Sequence, residues 1–431
     1  MKTFSPRTIR MILYCLLINI NAGLAQTFVK TDNGHFKSNG HDYYYIGSNF
    51  WYGAMLGAKT GNRARLVKEL DLLKANGVTN LRILVGADGP ARASKVQPSL
   101  QTAPGVYNKD MLAGLDFLMS EMQRRGMKAI LYLTNSWEWS GGYSQYLEWS
   151  GKGKAPVPAV DGWNTFQNYV AQFVQCDSCK VLFKKHISFI LNRVNQYTKK
   201  KYTDDPAIMA WQIANEPRAF SAAGKAPFAA WIKETARFIK SIDKNHLVTT
   251  GSEGQMGSED DIALWKDIHS EPAIDYVTIH IWPSNWGWLD RTHMTATFDK
   301  AVTNSKDYLA KHLAIAKELN KPLVVEEFGL PRDSMSFSPS STTKLRDKFY
   351  KAIFELVTQS AKDKGYLAGC NFWAWGGTGR ATAGHVFWQE GDNYLGDPAQ
   401  EEQGLYSVFN TDTIVPVIKA YNKKIQELNN R

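Results

Sequence analysis

Short apolar, β-branched or aromatic runs alternate along the chain with longer stretches in which apolar residues recur at helical spacing. The short runs lie at 43–49, 80–85, 128–134, 208–214, 247–251, 276–281, 323–326 and 369–373 and read as strands. Helical periodicity marks 63–76, 109–125, 181–197, 226–242, 298–319 and 343–362, and 412–429 reads as a closing C-terminal helix. Alternation repeated eight times predicts an α/β protein of the (β/α)8 TIM-barrel class rather than an open doubly wound sheet. No Pro/Ser-rich linker, composition shift or internal repeat interrupts it, so 26–431 is expected to be a single catalytic domain. Gly- and Trp-rich connections at 135–164 and 376–404 follow the third and eighth strands, which in a barrel places them on the active face.

The first 25 residues differ from the rest. Lys2, Arg7 and Arg10 precede an apolar run over 11–20 and then Gly23, Leu24 and Ala25, with small residues where a signal peptidase inspects the chain. A cleaved secretory signal over 1–25 is expected, and with it a secreted protein, extracellular or periplasmic. The run is too short to remain as a bilayer span, and no later stretch approaches the roughly 20 apolar residues required.

Export changes the reading of the cysteines. Beyond Cys15, Cys176 and Cys179 could close a small disulfide loop in an oxidising compartment, while Cys370 sits in an apolar segment as a packing residue. A zinc site lacks a second Cys pair or a nearby His pair, so no metal or cofactor is expected.

With 44% hydrophobic and 21% charged residues in 431, the chain is not disordered, collagen-like or a coiled coil. Its formal charge of +10 would admit an anionic partner, yet apart from Lys199, Lys200 and Lys201 the basic residues are scattered. Nucleic-acid binding is therefore not expected. Fourteen Trp, 19 Tyr and 20 Phe exceed the needs of the core and suit ligands with apolar faces of their own.

In a barrel, side chains at the C-terminal strand ends converge on one bowl. Those ends carry Trp51, Arg82, Asn135 with Trp137, Asn215 with Glu216, Glu253, His280 with Trp282, Glu327, and Trp373 with Trp375. The set joins carboxylates to tryptophans and lacks a nucleophilic Ser or Cys with its base, a phosphate-cradling glycine loop or a His cluster. Glycoside hydrolysis needs that combination: one carboxylic acid protonates the leaving oxygen, another attacks as carboxylate, and indole faces stack on sugar rings. Glu216 and Glu327 are the best pair. Glu326, next in sequence, should point to the other side of its strand as a structural residue. Glu253 is the rival carboxylate, read as a substrate contact or a loop residue.

Asn215, Glu216, Pro217 and Arg218, then His280, Ile281 and Trp282, then Glu326, Glu327, Phe328 and Gly329, then Trp373, Ala374 and Trp375 occur in that order along the chain. In this the sequence resembles the endo-β-1,4-mannanases of glycoside hydrolase family 5 over nearly its whole length. The resemblance implies Glu216 as general acid/base and Glu327 as nucleophile of a retaining double displacement. It also implies a substrate-binding set of Arg82, Trp137, Asn215, Arg218, His280, Trp282 and Trp373. Within it, Asn215 would contact the sugar 2-hydroxyl, Arg82 and His280 would orient and tune the carboxylates, and Trp373 would floor the reactive sugar. Arg218 would contact a sugar on the leaving side, and Trp137 would serve as a second platform. Many members carry Tyr where this chain has Trp282, which leaves open the hydrogen bonding of Glu327. The expected partner is a β-mannan polysaccharide or manno-oligosaccharide, acted on by a monomer. An endo-β-1,4-glucanase on the same scaffold and a non-catalytic polysaccharide-binding barrel are the alternatives.

Overall fold

All eight apolar runs form strands in the computed structural model, which describes residues 27–430 except Ala93. They are β1 (Tyr45–Asn49), β2 (Asn80–Leu84), β3 (Lys128–Tyr132), β4 (Ile208–Gln212), β5 (Leu247–Thr249), β6 (Val277–Ile281), β7 (Leu323–Phe328) and β8 (Leu367–Phe372). Every residue in them is buried, which is why they read as continuous apolar runs rather than as alternating ones. Pairing is parallel and neighbours run β5-β4-β3-β2-β1-β8-β7-β6. Between β5 and β6 there is no ladder. The seam is stitched by the Asp275 N–H donating to the Val248 carbonyl at 2.8 Å, the Thr249 hydroxyl to the Tyr276 carbonyl at 2.9 Å and the His280 N–H to the Glu253 carbonyl at 3.1 Å.

The strands are followed in turn by α1 (Arg63–Ala75), α2 (Lys109–Arg124), α3 (Asp177–Leu191), α4 (Lys225–Ile242), α5 (Ile262–His269), α6 (Met294–Glu318), α7 (Lys344–Lys362) and α8 (Ile414–Asn429). Local chemistry sets several starts. Asn62, Asn108 and Asp261 each accept backbone N–H groups of the first turn, satisfying donors that have no partner inside the helix. Cys176 caps α3 in the same way and is joined to Cys179 by a disulfide within that first turn. The helix therefore begins ahead of its expected position. Cys370 is unpaired and buried in β8, as expected of a packing residue.

Two additions position the site. Antiparallel strands Lys30–Asp32, His35–Ser38 and His41–Asp42 place Phe36 against Tyr45, Ile130, Met209, Tyr276 and Val324, closing the N-terminal mouth of the barrel. At the opposite mouth the 135–164 connection contains helices Gly142–Trp149 and Pro158–Asp161 and leads into a third, Trp163–Val170. The expected signal segment lies outside the described residues. Among those described, no helix is long and apolar enough to cross a membrane.

Candidate active site

The C-terminal strand ends surround a cavity of about 480 Å3 whose wall includes Asn215, Glu216, Arg218, Trp282, Glu327 and Trp373. Glu216 enters it just past β4 at φ 47°, a left-handed backbone that costs a non-glycine residue about 1–3 kcal/mol. Pro217 disfavours the right-handed helical alternative, and the conformation is held by the Glu216 N–H donating to the Gly251 carbonyl at 3.0 Å and by the Ser136 hydroxyl donating to the Glu216 carbonyl. Glu327 comes from β7. One carboxylate oxygen of each glutamate and one ring nitrogen of His280 lie within 4.8 Å of one another.

Each carboxylate has its own donors. Glu216 accepts from the Trp137 indole N–H at 2.5 Å and lies 2.7 Å from His280 Nδ1. Glu327 pairs with the Arg82 guanidinium, accepts from the Trp282 indole N–H at 3.2 Å and lies 3.4 Å from the same His280 nitrogen. Burial pushes the His280 imidazole well below its ordinary range, so the ring is neutral, and a proton on Nδ1 is donated to Glu216. Burial pushes both glutamates up, and mutual repulsion adds to this at Glu327. The direct ion pair with Arg82 favours the negative charge on Glu327, which leaves the proton to Glu216.

Arg82 and His280 are fully buried and contact the carboxylates without lining the cavity. Besides Glu327, Arg82 donates to Gln212 at 2.8 Å, Asn49 at 3.0 Å and Asn215 at 2.7 Å, and its guanidinium lies 4.5 Å from the Tyr132 ring centroid. Asn215 does line the cavity and turns its amide N–H to Asn135 at 3.2 Å. Trp282 answers the open question about the nucleophile position, since its N–H reaches Glu327 directly. Trp373, 3% exposed, lines the cavity with its indole N–H unpartnered. Arg218 lines it too, donating from Nε to Glu253 at 2.6 Å. Glu253 is thus a buried ion-pair partner in the cavity wall rather than a surface loop residue, and burial holds its carboxyl up at about 7. Trp51 and Trp375 are structural: their N–H groups are bound by the Gly396 carbonyl and by Glu69.

One expectation is overturned by the backbone. Along β7 and β6, Ile279 faces Val325 but His280 faces Glu327, so Glu326 is the extra residue of a bulge. Alternation breaks there, and Glu326 turns inward as well. It lies 3.8 Å from Arg82, receives the Tyr276 hydroxyl at 3.1 Å and the Gln212 amide, and is held up at about 7 by burial. It remains beneath the cavity.

A match to the family described as GH family 5 beta-mannosidase-like spans residues 26–430. The chain belongs to this glycoside hydrolase family. It is 32% identical over 377 residues to mannan endo-1,4-beta-mannosidase 7 of Arabidopsis thaliana, covering 84% of this chain and 80% of that protein. The crystal structure of a glycoside hydrolase family 5 mannosidase from Rhizomucor miehei superposes with a TM-score of 0.87 at 35% identity, covering 94% of this chain and 99% of that one. The endo-β-1,4-mannanase from Thermotoga petrophila gives 0.65 at 26% identity, covering 90% and 78%.

In this family 5 chain, Glu216, His280 and Glu327 also form a cluster of metal-ligating type. Arg82 already supplies the positive charge that such a cation would bring to Glu327, and a guanidinium in direct contact opposes cation entry. Sequence reasoning missed several cavity-lining residues: Glu138, Trp163, Gln400, Glu401 and Tyr406. Glu138 Oε2, Gln400 Oε1 and Glu401 Oε2 are buried atoms with no protein partner among the described residues. Burial holds Glu138 up at about 7 and pushes Glu401 well above the usual carboxylate range. Glu138, Trp163, Gln400 and Glu401 lie in the two Gly- and Trp-rich connections, which was the available signal; Tyr406 lies just beyond the second.

Proposed function

We propose that the protein is a secreted, endo-acting retaining glycoside hydrolase that cleaves β-1,4-mannosidic bonds in mannan, galactomannan or glucomannan. The observation that carries the mechanism is the approach of the two carboxylates to within 4.8 Å, close to the separation of about 5–5.5 Å that direct attack requires and short of the roughly 6.5–9.5 Å that leaves room for an intervening water. Glu327, ionised beside Arg82, attacks the anomeric carbon while Glu216 gives its proton to the departing glycosidic oxygen. A glycosyl ester to Glu327 forms as the sugar–sugar bond breaks. Loss of the Glu327 charge lowers the proton affinity of Glu216, which then takes a proton from water as that water attacks the anomeric carbon and the ester opens. Trp373 floors the reactive sugar, and Asn215 meets its 2-hydroxyl. The unpartnered oxygens of Glu138, Gln400 and Glu401 offer partners to further hydroxyl groups.

Substrate class follows from the named relatives, and the Cys176–Cys179 disulfide supports export to an oxidising compartment. Hydrolysis of mannan oligosaccharides of known length, lost in Glu327→Ala, is the expected result; unchanged activity in that variant removes Glu327 from the mechanism. The closer likeness to the Rhizomucor mannosidase favours a second reading, release of single terminal mannose units. The early products of the same digest separate the two, as internal cleavage yields mixed oligosaccharides and terminal cleavage yields mannose with a chain one unit shorter.

A further inference from the structure

We propose that Trp163 is a stacking platform for a sugar on the leaving-group side of the cleaved bond, a subsite built by the helix Trp163–Val170. The proposal rests on the hydrolase reading above. Trp137, the expected platform, also lines the cavity, and its ring already has protein neighbours. The Trp137 N–H is bound to Glu216, the Arg218 guanidinium sits 5.2 Å from its ring centroid, and Phe166 lies nearly parallel at 6.3 Å and 22°.

The next indole outward meets Trp137 and Phe166 only edge-to-face, the latter at 6.1 Å and 88°. Trp163 stands edge-to-face with Trp137 at 5.9 Å and 87°, lines the same cavity and is 54% exposed. Gly162, at φ 84°, lets the chain turn into its helix. Four residues on, Gln167 falls on the same helical side and also lines the cavity, adding an amide beside the ring. A half-exposed indole with an amide at its edge matches a pyranose, which has an apolar face and peripheral hydroxyls.

Direction follows from the catalytic pair. Trp373 and Glu327 mark the sugar that is attacked. Glu216 meets the departing oxygen and binds the Trp137 N–H, and Trp137 in turn meets Trp163. The surface reached last belongs to the leaving portion of the chain.

The test compares substrates with and without a leaving sugar. For Trp163→Ala, KM for mannotetraose rises about tenfold, the ratio that about 1.4 kcal/mol produces, while kinetics on β-mannobiosyl fluoride, whose leaving group is fluoride, stay as in wild type. Trp163→Phe keeps most of the mannotetraose affinity. An unchanged KM for mannotetraose, or an equal loss on both substrates, overturns the platform. If wild type cleaves neither substrate, the hydrolase reading fails on its own, and calorimetric titration with mannotetraose then decides: weaker binding by Trp163→Ala supports the platform and equal binding overturns it.

Discussion

Replacing Trp282 by Phe removes one N–H from Glu327 while keeping an aromatic ring between Trp373 and Tyr406, whose centroids lie 5.9 and 5.5 Å away. A hydrogen bond to an ionised group contributes about 1.5–3 kcal/mol, and at 3.2 Å this one belongs at the lower end of that range. The bond favours the carboxylate over the acid, so its loss raises the pKa of Glu327. At 1.36 kcal/mol per unit, the rise is about one unit. Activity needs Glu327 ionised, so the acidic limb of kcat/KM against pH moves upward by about one unit. Below the limb the variant is about tenfold slower than wild type, and on the plateau the two converge. The basic limb, set by the proton on Glu216, moves upward as well, because the same indole N–H lowers the proton affinity of Glu216. Trp282→Tyr, which restores a donor, moves the acidic limb back. An acidic limb that does not move would refute the reasoning; a lowered plateau with unmoved limbs would mean that Trp282 serves only to pack Trp373 and Tyr406.

Three further outcomes are expected. Glu216→Ala slows cleavage of manno-oligosaccharides by about 10²–10⁴-fold but slows a dinitrophenyl mannoside, whose leaving group needs no proton, far less; equal losses on both would remove Glu216 as the acid. Glu326, held up at about 7 in the fold, keeps a proton that the unfolded chain releases near its ordinary 4.5, so its stabilising contribution is present at low pH and is lost as pH rises toward 7. Glu326→Gln abolishes that component, and urea midpoints of wild type and variant measured at pH 5 and pH 8 should differ in slope. Replacing Cys176 and Cys179 by Ser lowers stability by about 2 kcal/mol, the loop-entropy value for so short a closure, with kcat/KM unchanged because neither residue lines the cavity; denaturant unfolding beside kinetics checks both halves.

Much of this arrangement was legible in the chain because burial leaves a strong mark. All eight strands lie where apolar runs predicted them, and the strand-end rule located both glutamates. Short or irregular pieces left weaker marks. Ile262–His269 spans two turns, too few for periodicity to declare itself, and the helices of the 135–164 connection sit among Gly and Trp residues that read as loop. Trp163 was overlooked for that reason. Trp137 was identified as a site residue, but which neighbours cover its ring depends on Phe166 and Arg218, and nothing local in sequence reports that. The inward turn of Glu326 depends on pairing with another strand, information that no single segment contains.

Glu326 and Glu327 are the same amino acid in consecutive positions, so nothing in their composition distinguishes the one that lines the cavity from the one beneath it. The distinction is made by one unmatched step between two strands. Deleting a single residue on the N-terminal side of that step would leave both glutamates in the chain and the overall charge nearly untouched, yet hand the cavity a different side chain. In this barrel, reactivity is assigned by address.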